Sequence, residues 1–500
     1  MGNQSRPSSP AGQAKHRPAP GPALVATLEA IVGPDAIFTD EAALLAYESD
    51  ALAHRRGTPA AVVLPSTGRE VQRIVEACHA AGVPFVARGH GTGLSAGATP
   101  VAGGVLIGLS RLNRILGIDV LNRVAVVEPG VTTAAVNRAV APHGLFFAPD
   151  PSSAEVCSIG GNIAENAGGA HCLKYGTTVN HVLGIEVVLP DGDLVRLGGA
   201  APGLPGSELL PLFVGSEGTL GVVVKATLRL TAQPEAVTLL FAAFDSMVAA
   251  GEAVSRVISA GIVPAAMEVM DRLSIQAGEP IAHAGLPMVE AALLVELDGP
   301  QSEVAAHAQS VEGICRSAGA SEMRLTGDAS ERALLWKARK AAVAGMGRIS
   351  PAYLLQDGVV PRSRLPEVLG RIAEVASTTG LLIANVFHAG DGNLHPIICY
   401  NPAVPGDLDR AEQAAVTITG FCLEVGGSVT GEHGVGLDKR DSLMKMLGPD
   451  DLETQGLVRC ALDPRAISNP SKLLQRPGCG GRRHAHPSQA GATEPGEPFA

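Results

Sequence analysis

Short apolar runs and amphipathic stretches alternate near the start of the chain, as expected of a strand–helix–strand unit. Residues 61–65 form an apolar run that predicts a strand, and Thr67 followed by Glu70 matches a capping box that begins a helix. Gly82 is suited to end this helix, and residues 83–87 predict the next strand. One face of the helix is apolar and carries Val71, Ile74, Val75 and Cys78.

Further apolar runs predict the rest of an α+β domain with long loops. We expect strands at 104–109, 124–127, 185–189 and 222–230 and a helix at 133–141. After residue 231, strand and helix patterns alternate and predict a second sheet with helices packed on it. Its strands are expected at 237–244, 265–270, 291–297, 381–388 and 396–400, and its helices up to about 260 and at 303–318, 329–344 and 408–425.

The two ends of the chain lack core-forming residues. Residues 1–22 are rich in Pro, Ser, Gly and Ala, and residues 476–500 are equally low in apolar residues. We therefore predict two disordered tails around domains at 23–232 and 233–475. A transit peptide is an alternative for the first tail, although its prolines would break the amphipathic helix that such a peptide needs.

Composition excludes several classes of function. The chain has 500 residues, 46% of them hydrophobic, and a formal net charge of -11, which argues against a nucleic-acid partner. No apolar window approaches the roughly 18 residues of a membrane span, so membrane contact is expected to be peripheral. The eight cysteines are scattered without a CxxC motif, which favours reduced thiols in the cytoplasm and argues against an iron–sulfur cluster in this chain.

Two glycine-rich segments carry the first chemical signal. Residues 149–176 combine five glycines with small polar residues, and such a segment lets a ligand approach the backbone closely. Residues 88–97, RGHGTGLSAG, follow a predicted strand and contain a loose dinucleotide-binding pattern. Gly97 and Pro100 discourage the helix that a Rossmann turn requires, so that interpretation is rejected. Taken alone, such a motif is most often a surface loop without a ligand.

Three more motifs change this interpretation: DPSS at 150–153, SIGGN at 158–162 and GSEGTLG at 215–221. In this order and spacing they resemble the cofactor loops of the vanillyl-alcohol oxidase, or PCMH-type, FAD-binding family over residues 61–225. The resemblance implies an α+β fold in which a two-part FAD-binding domain precedes a sheet-plus-helices substrate domain with a C-terminal helical segment. Within the family the chain is similar to the glycolate oxidase and D-lactate dehydrogenase group of D-2-hydroxy-acid dehydrogenases.

The resemblance also implies which residues hold FAD. His90 does not match the position of the histidine that attaches flavin covalently in some relatives, so FAD is expected to be non-covalent and His90 is most simply a solvated loop residue. The implied cofactor-binding residues are Arg88, Gly89, His90, Gly91, Thr92, Gly93, Leu94, Pro151, Ser152, Ser153, Ser158, Gly160, Gly161, Asn162, Asn166, Gly168, Gly169, Tyr175, Gly176, Glu217, Gly218 and Val222.

Histidines and a carboxylate mark a second site in the C-terminal half. Residues 387–395, FHAGDGNLH, place two imidazoles around a glycine turn, and residues 431–436, GEHGVG, add a carboxylate and a third imidazole. Two His and one Glu make a three-ligand metal site with open positions, although a pair of histidines seen alone is more often structural. Neither segment is HExxH, so a zinc protease is excluded and the ligands are expected to come from loops.

The family resemblance assigns roles to these residues. It implies that His388, His395 and Glu432 bind a divalent metal, Zn or Mn, and that His433 is the catalytic base. In the segment WKARK at 336–340, it implies that Arg339 binds the substrate carboxylate, against the alternative of a solvent-facing helix cation. Val343 and Leu355 stand where hydroxyglutarate dehydrogenases carry threonine and lysine, which favours glycolate or D-lactate as substrate.

The predicted function is therefore FAD-dependent oxidation of a small 2-hydroxy acid, with metal-assisted deprotonation of the hydroxyl and hydride transfer to flavin. Electrons would pass to an iron–sulfur subunit, a quinone or a cytochrome, and both a homo-oligomer and an oxidase complex stay open. A D-2-hydroxyglutarate-type dehydrogenase, a non-catalytic flavin-binding subunit and a metal-free flavin oxidase are the alternatives. The four residues of the metal and base motifs favour the enzyme over the non-catalytic subunit.

Overall fold

The computed structural model describes residues 20–201 and 208–474. The two predicted tails therefore lie outside the described residues, apart from residues 20–22, where Pro22 begins helix α1 (Pro22–Val32). Within the described ranges, no helix combines the length and the apolar character that crossing a membrane requires. Six described cysteines are free thiols.

The first domain begins with a small mixed sheet. Strand β2 pairs in parallel with β4, which pairs in parallel with β3, and β1 adds an antiparallel edge. The predicted helix start is confirmed, because Thr67 Oγ1 accepts a hydrogen bond from the Glu70 amide at 3.2 Å. The reciprocal bond of a capping box differs, since Glu70 Oε2 accepts from the Ser66 amide at 2.6 Å and not from the Thr67 amide. Gly82 ends that helix in the left-handed conformation, at φ +66°. The elements are β1 (Ile37–Phe38), α2 (Glu41–Leu45), β2 (Ala61–Val63), α3 (Gly68–Ala81), β3 (Phe85–Arg88) and β4 (Val105–Gly108).

A second, antiparallel sheet completes the first domain, with strand order β5-β6-β10-β8-β9. Its core includes apolar side chains from α4, α5 and the sheet. One glycine-rich segment follows β3, and the other connects β7 to α6 through the short helix α5. The elements are β5 (Ile115–Asp119), β6 (Val124–Val127), α4 (Thr133–Val140), β7 (Leu145–Phe146), α5 (Ile159–Glu165), α6 (Cys172–Tyr175), β8 (Val182–Val188), β9 (Leu194–Gly198), α7 (Leu210–Phe213), β10 (Val222–Arg229) and β11 (Thr231–Ala232).

The second domain is built on a nine-stranded sheet with the core path β15-β12-β14-β13-β18. Strands β19 and β17 continue this path, while β20 pairs with both β18 and β16. The elements are β12 (Ala236–Phe244), α8 (Met247–Ser259), β13 (Ala266–Asp271), α9 (Arg272–Ala282), β14 (Ala291–Gly299), α10 (Gln301–Ser317), β15 (Glu322–Thr326), α11 (Ala329–Gly345), β16 (Ala352–Leu355), β17 (Gly358–Val359), α12 (Leu365–Thr379), β18 (Ile383–His388), β19 (Asn393–Leu394), β20 (Pro396–Tyr400), α13 (Asp407–Glu424), α14 (Arg440–Met446) and α15 (Pro449–Leu462).

Helices cover both faces of this large sheet, because consecutive residues of β12 are apolar and their side chains point to opposite faces. Leu240 and Phe244 belong to the core that also contains side chains of α8, α10, α12 and α13. Leu239 and Phe241 point to the other face, where α9 and α11 supply the partners. The α+β architecture predicted from the sequence is confirmed, and it places α11 and the ends of β13 and β18 near the glycine-rich loops of the first domain.

Candidate active site

A cavity of about 210 Å³ lies where the two domains meet. The first domain lines it with the loop after β3 and with residues around α5, and the second domain lines it with α11, β16, β18 and the turn after residue 431. A smaller neighbouring cavity shares Gly89 and Gly161 with it and is also lined by Gly160, Glu217, Gly218 and Val222. The predicted cofactor residues that line the larger cavity are Gly89, His90, Gly91, Thr92, Gly93, Leu94, Pro151, Ser152, Ser153, Ser158, Gly161, Asn162 and Gly168.

Two glycines explain how the loops come so close together. A Cβ at Gly89 would collide with Ser158 Oγ, so the first loop packs on the start of α5 only without a side chain there. Gly91 has φ +69°, a left-handed conformation that favours glycine. The Ser158 hydroxyl accepts a hydrogen bond from the Gly161 amide at 3.2 Å. The backbone of both loops therefore faces the cavity, which is the arrangement that suits a large polar cofactor such as FAD.

The other predicted cofactor residues bond to neighbouring protein groups or line a different pocket. Arg88 donates to the Ser49 carbonyl at 2.5 Å, and Asn166 Oδ1 accepts from the Val179 amide at 2.9 Å. The Tyr175 hydroxyl donates to Asp298, a residue of the second domain. Two glycines complete this group: Gly176 ends α6 at φ +82°, and Gly169 lines a pocket beside Glu432.

The structure brings the three predicted metal ligands together. His388 ends β18, His395 lies between β19 and β20, and Glu432 lies in the turn after residue 431. The Nε2 atoms of both histidines lie 3.2 Å from Glu432 Oε1. All three side chains are nearly buried, with 6%, 6% and 12% of their surfaces exposed. His388 therefore lies at the end of a strand, whereas the sequence had predicted ligands from loops.

The protonation of these rings tests whether the residues fit a metal. His388 Nδ1 donates to Glu268 Oε1 at 2.6 Å, and His395 Nδ1 donates to the Gln356 carbonyl at 3.0 Å. Metal ligation requires neutral imidazoles, and with these tautomers both Nε2 lone pairs would face the Glu432 carboxylate, an arrangement that a cation between them stabilises. Glu432 Oε2 is also buried and has no hydrogen-bond partner in the described structure. The donor set thus fits a divalent cation such as Zn²⁺ or Mn²⁺.

The site favours positive charge beside Glu432, whether a proton or a metal carries it. Although burial opposes this, Glu268 and Glu432 raise the pKa of His388 well above its ordinary value. Burial alone would raise the pKa of Glu432, but the adjacent His388 and His395 hold it well below its ordinary value. Burial lowers the pKa of His433 to about 4. The His433 ring stacks on that of His395 with 5.0 Å between the ring centroids, and its Nδ1 has no hydrogen-bond partner in the described structure. His433 is therefore a neutral imidazole near pH 7 that can accept a proton.

A second group of possible ligands, Asp357 with His395 and His433, also lies close together. Asp357 is an unsuitable ligand because its oxygens already accept several hydrogen bonds. Its donors include the Thr430 hydroxyl, the amides of Gly431, Glu432 and His433, and Lys439 Nζ at 2.9 Å. Although burial opposes it, Lys439 keeps the pKa of Asp357 far below its ordinary value. Asp357 therefore holds the turn that carries Glu432 and His433.

Arg339 lies on α11 and lines the same cavity, near Val343, Leu355 and Val386. Only 5% of its side chain is exposed, so the alternative of a solvent-facing cation is wrong. Its Nε and Nη2 atoms donate to Glu268 Oε2 at 2.7 Å and 2.6 Å. Because this edge of the guanidinium is occupied, Nη1 and the remaining Nη2 proton are left for a ligand in the cavity.

Sequence reasoning missed three buried carboxylates at this site. Glu268 interrupts the apolar run AAMEVM, and Asp357 follows the apolar residues of β16. A single acidic residue within an apolar strand pattern was the available signal, since a buried charge needs a partner. Glu165, next to the predicted Asn166, gave no such signal because it lies in a glycine-rich segment. It lines both cavities.

Comparison with known proteins places this site in a family. The chain matches the family described as FAD binding domain over residues 59–198 and that described as FAD linked oxidases, C-terminal domain, over residues 233–473. It is 46% identical to glycolate oxidase subunit GlcD of Escherichia coli strain K12 over 467 residues, 93% of each chain. It is 34% identical to D-lactate dehydrogenase of Archaeoglobus fulgidus over 83% of this chain and 91% of that protein.

Solved structures show the same fold at lower sequence identity. The 4-ethylphenol oxidase of Gulosibacter chungangensis aligns with a TM-score of 0.77 at 19% identity, over 91% of this chain and 97% of its own. At this identity the likeness concerns the fold alone.

Proposed function

The chain belongs to the FAD-linked oxidases, and from this premise we propose that it oxidises a small 2-hydroxy acid, glycolate or D-lactate, to the 2-oxo acid. The premise makes the protein an FAD-dependent oxidoreductase. One observation carries the proposal for the substrate: the buried His388, His395 and Glu432 share with Arg339 the cavity that the cofactor loops line. A cation site and a guanidinium at one cavity suit the hydroxyl and the carboxylate of a 2-hydroxy acid.

The residues divide the chemical work between them. Arg339 binds the substrate carboxylate, and its bond to Glu268 holds it in the cavity wall. His433, a neutral imidazole that lines the cavity, accepts the proton of the substrate hydroxyl. If bound, a divalent metal would supply Lewis acidity that lowers the pKa of that hydroxyl, and FAD would supply the acceptor for the hydride from the carbon that bears it. The three ligands, His388, His395 and Glu432, would hold that metal beside His433.

The cavity wall supports a small substrate. Val343, Leu355 and Val386 are apolar and lie at the same cavity as Arg339. These three side chains offer a distal carboxylate no partner, and an unpaired buried charge is costly. Lys340 also lines the cavity, but it is exposed to solvent, where an ion pair contributes little. We therefore favour glycolate and D-lactate over D-2-hydroxyglutarate.

We further propose that FAD is bound without a covalent link and that the chain passes its electrons to another protein or to a quinone. The His90 ring is already bonded through Nδ1 to the Val156 carbonyl at 2.5 Å, which supports a role for His90 in holding the loop. The relative from E. coli is named a subunit of glycolate oxidase, and this name supports an oxidase complex that includes an electron-accepting subunit.

Anaerobic bleaching of flavin absorbance tests the proposed reaction. The purified protein is mixed with glycolate, D-lactate, L-lactate or D-2-hydroxyglutarate, before and after removal of metal by a chelator. Rapid bleaching by glycolate or D-lactate that is lost after chelation and restored by Zn²⁺ or Mn²⁺ is expected. Bleaching that survives complete chelation would contradict the metal site, and absence of bleaching in metal-replete protein would indicate a non-catalytic flavin subunit.

A substitution at Arg339 tests the carboxylate site separately. Arg339→Lys keeps the charge but loses the planar fork, which is worth about 2 kcal/mol at a charged partner, or roughly 30-fold in kcat/KM. FAD content serves as the control, since the predicted cofactor contacts lie on other residues. An unchanged kcat/KM for glycolate and D-lactate would show that Arg339 does not bind the substrate.

A further inference from the structure

Glu268 is a buried carboxylate in the middle of the large sheet. It lies on β13, where its Cα pairs with Leu294 on one neighbouring strand and His388 on the other. The residue is 0% exposed, and Met267 and Val269 on either side belong to the apolar core. A carboxylate in such a position must be fully paired to remain charged. Its pairing partners therefore indicate why the sheet carries it.

Both oxygens of Glu268 are engaged by residues of the proposed site. Oε1 accepts from His388 Nδ1 at 2.6 Å, and Oε2 accepts from Arg339 Nε at 2.7 Å and lies 2.6 Å from Arg339 Nη2. His388 is 120 residues away in sequence and Arg339 is 71 residues away. One carboxylate thus joins the end of β18 to the middle of α11.

We propose that Glu268 is a positioning residue that fixes His388 and Arg339 relative to each other, and thereby the spacing between the metal end and the carboxylate end of the substrate site. This inference rests on the function proposed above. The substrate carries its hydroxyl and carboxylate on adjacent carbons, so the two groups that receive them must be held at a fixed separation. Glu268 makes this separation depend on a single side chain.

The geometry gives Glu268 two separate effects. By accepting the Nδ1 proton it fixes the tautomer and direction of His388, so that Nε2 faces Glu432 Oε1 at 3.2 Å. By occupying the Nε edge of Arg339 it directs the rest of the guanidinium to the cavity. A purely structural role, in which Glu268 only neutralises the buried Arg339, would produce the second effect without the first. Metal affinity therefore distinguishes the two roles.

The test compares metal binding by Glu268→Gln and by the unchanged protein. The FAD-loaded protein is stripped with a chelator and titrated with Zn²⁺ or Mn²⁺ alone, and bound metal is measured after dialysis. Loss of a carboxylate that orients a metal-ligating histidine is expected to weaken metal binding roughly 10- to 100-fold. KM for glycolate or D-lactate should also rise. Asp271→Asn is the matched control, because Asp271 lies on the same strand but bonds to Ser274 and Asn385 outside the cavity.

A second pair of variants keeps the test decisive if an unpaired Arg339 prevents Glu268→Gln from folding. Arg339→Met alone is compared with the double variant Glu268→Gln and Arg339→Met, in which no buried guanidinium is left without a partner. Weaker metal binding by the double variant, again roughly 10- to 100-fold, supports the positioning role. Equal metal binding by the two would overturn it and leave Glu268 as a counter-charge.

The outcome for the unchanged protein separates this inference from the proposed function. If the unchanged protein takes up one metal ion and bleaches with substrate while both comparisons show equal metal affinity, only the role of Glu268 fails. If the unchanged protein takes up no metal, the proposed metal site itself is wrong, and the inference is overturned with it.

Discussion

Individual carboxylates organise this site, and each is stabilised by a different set of donors. Glu432 faces two imidazoles, and Glu268 joins an imidazole to a guanidinium. Asp357 accepts hydrogen bonds from backbone amides and from the Lys439 ammonium group. Each carboxylate needs such partners because it is buried and has lost the hydrogen bonds that water would otherwise donate to it. The role that we infer for each residue follows from its partners. Glu432 would bind a cation, Glu268 would position two residues of the site, and Asp357 stabilises the turn after residue 431.

Asp357→Asn should disorder the turn that carries Glu432 and His433. The substitution leaves Lys439 buried without its counter-charge, and breaking a buried pair costs about 3 to 5 kcal/mol. We expect a lower temperature of unfolding and reduced metal content in the purified protein. Thermal unfolding and metal analysis measure these effects, with Asp409→Asn, at an exposed carboxylate of α13, as the control. Full metal content in Asp357→Asn would show that the turn forms without it.

Residues in local motifs were predictable from the sequence, whereas those that depend on distant partners were not. His388, His395, Glu432 and His433 lie in two short glycine-flanked motifs, and the structure brings all four together. Glu268 and Asp357 have no such motif, because their partners are supplied by β18, α11 and the turn after residue 431. Only the tertiary structure shows that these side chains converge.

The same contrast holds for whole elements. Helix α3 has a threonine N-cap, an apolar face and a terminal glycine, and it was predicted almost to the residue. Helix α9 was missed, since it contains Gly278 and Pro280, which both disfavour helix. Its stability comes instead from packing against α11, where its Ile275 and Ala277 meet Leu335 and Ala338 in a common core. Tertiary packing thus overrides the local signal.

Substitution of Gly278 tests this packing at the level of the element. A Cβ at Gly278 would lie 2.5 Å from the Ala338 carbonyl oxygen, one residue before Arg339. Gly278→Ala should therefore push α11 away, destabilise the protein by about 1 to 3 kcal/mol and raise KM for the substrate. Chemical denaturation and steady-state kinetics measure the two effects.

Gly313→Ala is the matched control, because a Cβ at Gly313 of α10 would meet no atom within 4 Å. Alanine has the higher helix propensity, so this variant should be more stable by about 0.8 to 1 kcal/mol with unchanged KM. Stabilisation by both substitutions would show that α9 and α11 adjust freely to the added methyl group.

On the scale of the whole molecule, buried carboxylates also connect the two domains. Glu217, in the first domain, accepts hydrogen bonds from the backbone amides of Val435 and Gly436 at 2.7 Å and 2.8 Å. Glu165 lies between the same segments, with Gly97 and Gly434 leaving room for it, and its Oε2 has no hydrogen-bond partner in the described structure. Burial and the neighbouring Glu217 raise the pKa of Glu165 well above its ordinary value. Burial also raises the pKa of Glu217, but the amides of Val435 and Gly436 oppose this rise, whereas Glu165 Oε2 has no such donor in the described structure.

Replacing each carboxyl with an amide should change the stability of the protein differently at Glu217 and at Glu165. Glu217→Gln replaces a carboxylate oxygen that accepts a hydrogen bond from a backbone amide with an NH₂ group that cannot accept one. This variant should destabilise the protein by about 1 to 3 kcal/mol. Glu165→Gln resembles the protonated acid and should be neutral or stabilising near pH 7. Denaturant unfolding of both variants measures the difference. Strong destabilisation by Glu165→Gln, equal to that by Glu217→Gln, would show that Glu165 is ionised in the folded protein.

His171 joins the domains through a charged network whose strength depends on pH. Its Nδ1 lies 2.7 Å from Asp150 of the first domain, and its Nε2 lies 2.9 Å from Glu296 of the second. Glu296 also accepts from the Trp336 indole at 2.7 Å, on the helix that carries Arg339, and Arg332 lies 4.0 Å away. The network therefore links the DPSS loop, which lines the cavity, to α11, the helix that carries Arg339.

The pKa of His171 gives the direction of the pH effect. Burial would lower this pKa, but Asp150 and Glu296 outweigh burial and raise it well above the ordinary value of 6.5. A group whose pKa is raised on folding stabilises the folded state fully below its unfolded pKa, and the effect is lost as pH rises through the folded pKa. His171→Gln should thus destabilise the protein by about 1 to 2 kcal/mol at about pH 6, with a smaller difference at about pH 10.

Denaturant unfolding of the FAD-loaded protein across this pH range measures the difference, with the exposed His143→Gln as a control that should show no comparable trend. KM for the substrate should rise in His171→Gln at the lower pH, because Trp336 and Arg339 share α11. A pH-independent difference in stability would show that His171 is neutral in the folded protein and that the two carboxylates do not hold the domains together through its charge.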